Sequence, residues 1–298
     1  MRRISLACGL VAVALGGCSD GAVTDTLAPP TATTIPVAST TGAPPAVTTP
    51  GNGQPATVLT VLDGDSLAVD IAGVRTEVRL AGVNAPEADE CHGGTSRDML
   101  SELVGGAEVL LVPVAGDDDI DQFGRLLRNV WSGDTWVNGA LVRQGAAVAI
   151  QTGSSEETQL VDAENAAWID RLGMWDPAAC GEAAQGVAVT DANYDPPGAD
   201  PDYAADEFVL IRNDGAEAVD VSGWIVRDES SQHRYRFPDG TVLAPGDGVR
   251  LRSGCGEDEG LDRYWCADDA VWSNGGDTVI LQTATGTVVS RYKFGGSF

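Results

Sequence analysis

The sequence predicts two folded domains of different class in tandem: a mixed α+β domain over residues 56–181 and an all-β, immunoglobulin-like sandwich over residues 186–296. Three observations lead there. A chain of 298 residues, 43% of them apolar, is long enough for about two domains that each bury a core. Between residues 57 and 131 apolar and polar side chains alternate in short runs, and helix-period segments follow or interrupt them. Beyond residue 186 the pattern becomes short strands separated by Gly, Asn and Asp turns, the spacing of a β-sandwich. No internal repeat links the two segments.

In the first domain, residues 57–62, 66–71 and 75–81 alternate as strands, with Asp63-Gly64 and Ala72-Gly73 as the turns between them. Residues 107–114 and 125–131 read as two further strands. Five strands are compatible with a small OB-type barrel, although the pattern by itself yields only α+β. Helices are expected over 96–104, 137–144 and 156–172. In the last of these Leu160, Ala163, Ala167 and Leu172 form the expected inner stripe. In the second domain Trp224 and Phe237 are expected in the core.

The first residues have the layout of an export signal rather than of a fold. Arg2 and Arg3 precede an apolar run over 4–15 that is too short to span a bilayer. The run ends in Leu15-Gly16-Gly17-Cys18, which resembles a bacterial lipobox. The resemblance implies cleavage after residue 17, lipid on Cys18 and anchoring to the outer face of the cell membrane, where two or three acyl chains hold stably. Residues 18–55 are Thr, Pro, Ala and Gly with almost no charge, a composition that cannot bury enough surface to order itself and so reads as a tether. A second, shorter boundary is expected at 181–185.

Charge excludes one class of function. The chain carries a formal −26, and the acidity is even: 56–181 sum to −14 and 182–298 to −12. Neither half can attract nucleic acid through net charge. Lys293 is the single lysine, against seventeen arginines.

Apart from Cys8 and Cys18, four cysteines remain, with three possible pairings. The domain boundary selects Cys91 with Cys180 and Cys255 with Cys266. The first closes a long loop, for about 4–5 kcal/mol on a chain-entropy model. A zinc site is the rival reading, but there is no Cys-x-x-Cys pair and only His92 and His233 are at hand.

Three motifs carry the chemistry: Asp63-Gly64-Asp65-Ser66, Arg79 to Glu87 through Asn84-Ala85-Pro86, and Asp121-Gln122-Phe123-Gly124-Arg125. They supply acids and an amide for a hard cation, a spare carboxylate, and two guanidinium groups able to grip a phosphate in two places. Their order and spacing resemble the thermonuclease, or staphylococcal-nuclease-like, family over roughly residues 56–181. In the second domain the runs 207–213, 219–224, 235–238, 243–246 and 272–279 resemble the lamin-tail domain.

The first resemblance implies an OB barrel and metal-assisted hydrolysis of a phosphodiester. Ca²⁺ would be held by Asp65, Asn84 and the Ala85 carbonyl, with Asp63 behind them. Glu87 would be the general base, and Arg79 and Arg125 would clamp the charged transition state. The products implied are 3′-phosphate ends, and the substrate DNA, with RNA a second candidate. The sequence departs from the family at Asn84, where many members have aspartate. It departs again at Gln122, Phe123, Gln151 and Gly153, which stand near the nucleotide in place of a lysine and tyrosines. Each missing aromatic platform forfeits about 1–3 kcal/mol of stacking. Two readings follow: an exported, membrane-anchored nuclease whose lamin-tail domain meets an unknown surface partner, or a surface-binding lipoprotein with a catalytically weak barrel.

Overall fold

The computed structural model describes residues 51–295 apart from 107, 116–118, 182–185, 197–205 and 231. The expected signal, lipidated Cys18 and nearly all of the expected tether lie outside the described residues. Among the described residues no helix is long and apolar enough to cross a membrane.

The first domain contains strands β1 (Gln54–Val61), β2 (Ser66–Ile71), β3 (Val74–Leu80), β4 (Val83–Asn84), β5 (Glu108–Pro113), β6 (Leu126–Ser132), β7 (Thr135–Trp136) and β8 (Val148–Ala149). Its helices are α1 (Gly93–Val104), α2 (Val137–Arg143) and α3 (Glu157–Ile169). The main sheet runs β3-β2-β1-β5-β6-β7, and a parallel pairing of β3 with β6 closes β1, β2, β3, β5 and β6 into a barrel. Closure removes both sheet edges. It is also the step that builds the site, because it sets Arg79 beside Leu127 on one side and Ser66 on the other.

The barrel is filled by the inward residues of alternating strands, Leu67, Val69, Val78, Leu80, Leu111 and Val130. Leu100, Leu141 and Leu160 from the three helices close it off. Each fully buried leucine contributes about 1.5–3 kcal/mol of transfer free energy.

Helix boundaries differ from expectation at two places, for local reasons. α1 begins at Gly93 rather than near 96. Ser96 is inside the helix, with its hydroxyl donated to the Ala146 carbonyl at 2.7 Å, and a β-carbon at Gly93 would lie 1.9 Å from the Glu87 carbonyl oxygen. Only glycine lets the helix start so close under the loop that carries Glu87. α3 ends at Ile169 because Arg171 adopts a left-handed φ of 54°. Leu172 therefore falls outside the stripe assigned to it. Glu164 is instead wholly buried, which reveals a second packed face that the apolar periodicity of α3 does not show.

The second domain contains β9 (Val187–Asn193), β10 (Phe208–Asn213), β11 (Val219–Asp220), β12 (Ile225–Arg227), β13 (Arg234–Arg236), β14 (Val242–Leu243), β15 (Gly248–Arg252), β16 (Asp262–Tyr264), β17 (Gly276–Gln282) and β18 (Val288–Gly295). They form two four-stranded sheets, β16-β15-β10-β9 and β13-β12-β17-β18, with β11 and β14 paired separately. Val209, Ile211 and Leu251 from one sheet meet Val226, Val279 and Leu281 from the other in a shared core. Trp224 and Phe237 are buried in that core.

The two domains are packed against each other. Met174, Trp175, Ala167 and Val148 of the first form an apolar cluster with Ile280 and Val288 of the second. Arg291 reaches Glu164 at 2.9 Å and Asn165 at 2.8 Å, and Lys293 lies 2.5 Å from the same Glu164 carboxylate. The Arg291 guanidinium also lies over Trp168, 4.9 Å from the ring centre. Cys91 is bonded to Cys180 and Cys255 to Cys266.

Candidate active site

A cleft of ≈ 860 Å³ opens at the mouth of the barrel, with Asp63, Asp65, Arg79, Asn84, Ala85, Glu87, Asp121 and Arg125 in its lining. All three motifs thus converge on one surface. The Asp63-Gly64-Asp65 turn is held by the Asp63 carboxylate, which accepts the Asp65 N–H at 3.0 Å. It also packs tightly: a β-carbon at Gly64 would lie 2.6 Å from that of Ala85 and 2.7 Å from that of Ser96. Glycine here permits the turn to rest directly on the Asn84-Ala85 segment.

Asp65 is the most constrained group. One carboxylate oxygen accepts the Ala85 N–H at 2.7 Å and meets the Arg79 guanidinium at 2.9 Å, and the other accepts the Ser66 hydroxyl at 3.0 Å. Burial pushes its carboxyl up to about 6; Arg79 opposes that rise, and the nearby Asp63 charge adds to it. Among the described residues Arg79 is the cation within ion-pair reach of this carboxylate. The side-chain donors gathered here, the Asp65 carboxylate and the Asn84 amide oxygen with Asp63 behind, are all oxygens, the set that suits a hard cation.

Arg79 is engaged on both terminal nitrogens. One donates to the carbonyls of Val83 at 2.8 Å and Leu80 at 3.2 Å, while the other donates to the Asn84 amide oxygen at 3.1 Å and pairs with Asp65. It therefore fixes the two candidate ligands relative to each other, a role the linear motif does not reveal. Arg125 is held differently. Its Nε pairs with Asp121 at 2.7 Å and its Nη1 donates to the Ser66 hydroxyl at 3.3 Å. Asp121 in turn accepts the backbone N–H groups of Phe123 and Arg125, both at 2.9 Å, which sets the Gly124 turn with its φ of 86°. Burial acts to raise the Asp121 carboxyl, but these N–H groups and the guanidinium outweigh it and hold the group below its ordinary range. Phe123 is 75% exposed at the cleft, with the Arg125 guanidinium 5.4 Å from its ring centre.

Glu87 is exposed at the cleft edge, and its backbone N–H donates to the Glu90 carboxylate at 2.9 Å. The loop is clamped at its far end by the Cys91–Cys180 disulfide. Cys91, His92 and Cys180 have potential ligand atoms within 4.8 Å of one another. With both thiols in the disulfide that group offers no thiolate, so the zinc reading fails on chemistry.

Other residues at this site could not be read from the sequence. The Asn84 amide donates at 3.1 Å to the backbone carbonyl of Glu229, 145 residues away in the second domain. The Glu229 carboxylate accepts the Gln151 N–H at 2.5 Å, the Gln151 side-chain amide at 3.3 Å and the Thr278 hydroxyl at 3.1 Å. Burial, with Asp277 nearby, pushes the Glu229 carboxyl upward. Gln151 is thus spent on holding the second domain instead of facing a base. Ser230 and Gln232 of the same domain line the cleft. Their only trace in the sequence is a polar run between two strands, which any exposed hairpin also has.

Residues 77–177 match the family described as staphylococcal nuclease homologue, and residues 181–296 match the Lamin Tail Domain family. The chain is similar to a micrococcal nuclease of Shigella flexneri, 32% identical over 133 residues, which cover 41% of this chain and 74% of the relative. It is likewise 32% identical over 122 residues to an uncharacterized endonuclease of Escherichia coli O157:H7, covering 41% of this chain and 76% of that protein. The protein ParB of Escherichia coli is 31% identical over 133 residues, covering 41% and 73%. The convergent oxygen donors and arginines on a closed five-stranded barrel agree with these similarities: the chain belongs to the staphylococcal nuclease homologue family, with a lamin tail domain following its nuclease domain.

Proposed function

We propose that this nuclease is exported, anchored to the outer face of the cell membrane through lipid on Cys18, and cleaves DNA, with RNA a second substrate, in a Ca²⁺-dependent reaction that leaves 3′-phosphate ends. The observation that carries the reading is the convergence of Asp65, Asn84, Glu87, Arg79 and Arg125 on one cleft. Asp65, Asn84 and the Ala85 carbonyl are the groups that would hold Ca²⁺, which when bound polarises a phosphate oxygen and favours deprotonation of a water. Glu87, exposed in the same cleft, is the group that would accept the proton of the attacking water. Arg125, which lines the cleft and is anchored through Nε to Asp121, opposes the charge gathering on the phosphate. Arg79 holds Asp65 and Asn84 in register while neutralising part of the Asp65 charge.

The test is incubation of the purified protein with single-stranded DNA, duplex DNA and RNA, with Ca²⁺ or with chelator, followed by analysis of the product ends. Cleavage that persists in chelator, or 3′-hydroxyl products, overturns the corresponding part of the reading. The alternative, a surface-binding protein with a weak barrel, draws support from the engagement of both Arg79 terminal nitrogens by protein acceptors. Absence of cleavage on all three substrates with Ca²⁺ selects it.

Placement has its own test. Cys18→Ala is expected to move the protein from the membrane fraction to the medium or to block its processing, and unchanged fractionation removes the anchor.

Asn84→Asp addresses the metal ligands. A carboxylate adds charge to the donor set and is expected to lower the Ca²⁺ concentration at half-maximal cleavage, read by titration at saturating substrate. The same change removes the amide donor to the Glu229 carbonyl, at about 1–3 kcal/mol in thermal unfolding. An unchanged Ca²⁺ midpoint takes Asn84 out of the ligand set.

A further inference from the structure

The β12–β13 hairpin of the second domain stands against the nuclease cleft on its loop side and against a second groove on its strand side. On the loop side Ser230 and Gln232 face the catalytic cleft. On the strand side a groove of ≈ 460 Å³ runs between the domains, lined by Glu87 and Glu90 from the nuclease and by Arg234 and Arg236 from β13. Glu87 lines both spaces. A polynucleotide with one phosphodiester at Glu87 must continue on either side of it, and this groove is a path open at that residue.

The charges in the groove fit a phosphate at one point. Arg234 is ion-paired with Glu90, so those two charges are mutually satisfied. Asp89, like Glu87, lines the groove from the nuclease side, whereas Arg236 lines it from β13. Arg236 is exposed and donates one Nη1 hydrogen bond, to the Gly223 carbonyl at 2.9 Å, and no carboxylate of a described residue lies within ion-pair reach of it. In a chain of formal charge −26, Arg236 thus brings an uncompensated positive charge to the groove that Glu87 also lines. A guanidinium with unused donors matches a phosphodiester oxygen pair.

We propose that the lamin-tail domain is part of the nuclease's substrate surface: its β12–β13 hairpin walls the cleft with Ser230 and Gln232, and Arg236 takes a phosphate of the single nucleic-acid strand flanking the scissile bond. The assignment rests on the nuclease reading of the cleft. It gives the second domain a direct share in binding, where the barrel lacks the aromatic platforms at Gln151 and Gly153.

The test is equilibrium binding, by fluorescence anisotropy, of a labelled 12-nucleotide single-stranded DNA and of a labelled dinucleotide. Both are measured with the full protein carrying Glu87→Gln, so that cleavage during the measurement is slowed. Adding Arg236→Glu is expected to weaken 12-mer binding about tenfold, the scale of one charge-assisted contact. It should also flatten the slope of log K against log salt by about 0.7, the value of one phosphate on a single strand. Dinucleotide binding should change less than about twofold, since that ligand does not reach the groove. Arg236→Lys should restore most of the 12-mer affinity. Equal 12-mer binding before and after Arg236→Glu, or equal losses on both ligands, overturns the proposal. Cleavage by the wild-type protein, assayed in parallel, keeps the two readings apart. Cleavage without any Arg236 dependence of binding refutes this site and leaves the nuclease standing, whereas Arg236-dependent binding without cleavage does the reverse.

Discussion

Glu87→Gln is expected to lower turnover at least about a hundredfold, the scale for a lost general base, and Arg125→Ala by a similar factor, the scale for a lost charge donor at the reacting phosphate. Both residues lie at the cleft and outside the apolar core. Glu87 is exposed, and the bonds to be lost by Arg125 are those to Asp121 and Ser66. Steady-state kinetics at saturating Ca²⁺ and thermal unfolding, run together, make the check. Wild-type turnover in either variant removes that residue from the mechanism, while a large fall in melting temperature assigns the loss to folding instead. Asp121→Asn gives a graded control. It keeps an acceptor for the backbone turn but loses the charge that anchors Arg125, so its deficit should fall between wild type and Arg125→Ala.

The largest stability effect is expected at Glu164. This carboxylate is fully buried, with Arg291 at 2.9 Å and Lys293 at 2.5 Å on one of its oxygens and the Ala149 N–H at 3.3 Å on the other. Glu164→Ala leaves Arg291 and Lys293 nearly out of water without their ion-pair partner, and removing one partner of a buried pair costs about 3–5 kcal/mol. In a unit of this size the melting temperature should fall by roughly 10 °C. Both cations lie on β18 and the carboxylate on α3, so the loss falls on the packing between the domains. Differential scanning calorimetry is expected to show one transition for the wild-type protein and two for Glu164→Ala. A drop of less than about 1 kcal/mol would show the cluster to be solvated like a surface pair.

Much of the fold was legible because it rests on local rules. The alternation over residues 66–71 and the Asp63-Gly64 and Ala72-Gly73 turns set the β2–β3 hairpin, whose observed strands are Ser66–Ile71 and Val74–Leu80. The Gly, Asn and Asp turns of the second half likewise marked a strand-rich domain. Boundaries went astray where a side chain was committed elsewhere. Ser96 donates across to Ala146 from within α1, and Arg171 turns left-handed and ends α3 before Leu172. Glu164 was invisible for a related reason. A glutamate on a helix reads as solvent-facing, and only two cations more than 120 residues downstream make its burial tolerable.

At the site, the sequence by itself determined the chemical inventory: two acids and an amide for a hard cation, a spare glutamate, two arginines, and the glycines that allow close turns. Those follow from residue type and short spacing. Tertiary structure decided how each group is employed. Barrel closure through β3 and β6 turns Arg79 onto Asp65 and Asn84, and the Asp121 turn anchors Arg125. Docking of the second domain places Glu229 against Asn84 and Gln151, and Ser230 and Gln232 in the cleft. Such contacts join residues up to 145 positions apart. No local propensity encodes them; they exist because burying the apolar cluster around Trp175 and Ile280 and pairing Glu164 with Arg291 and Lys293 hold the two domains in one register.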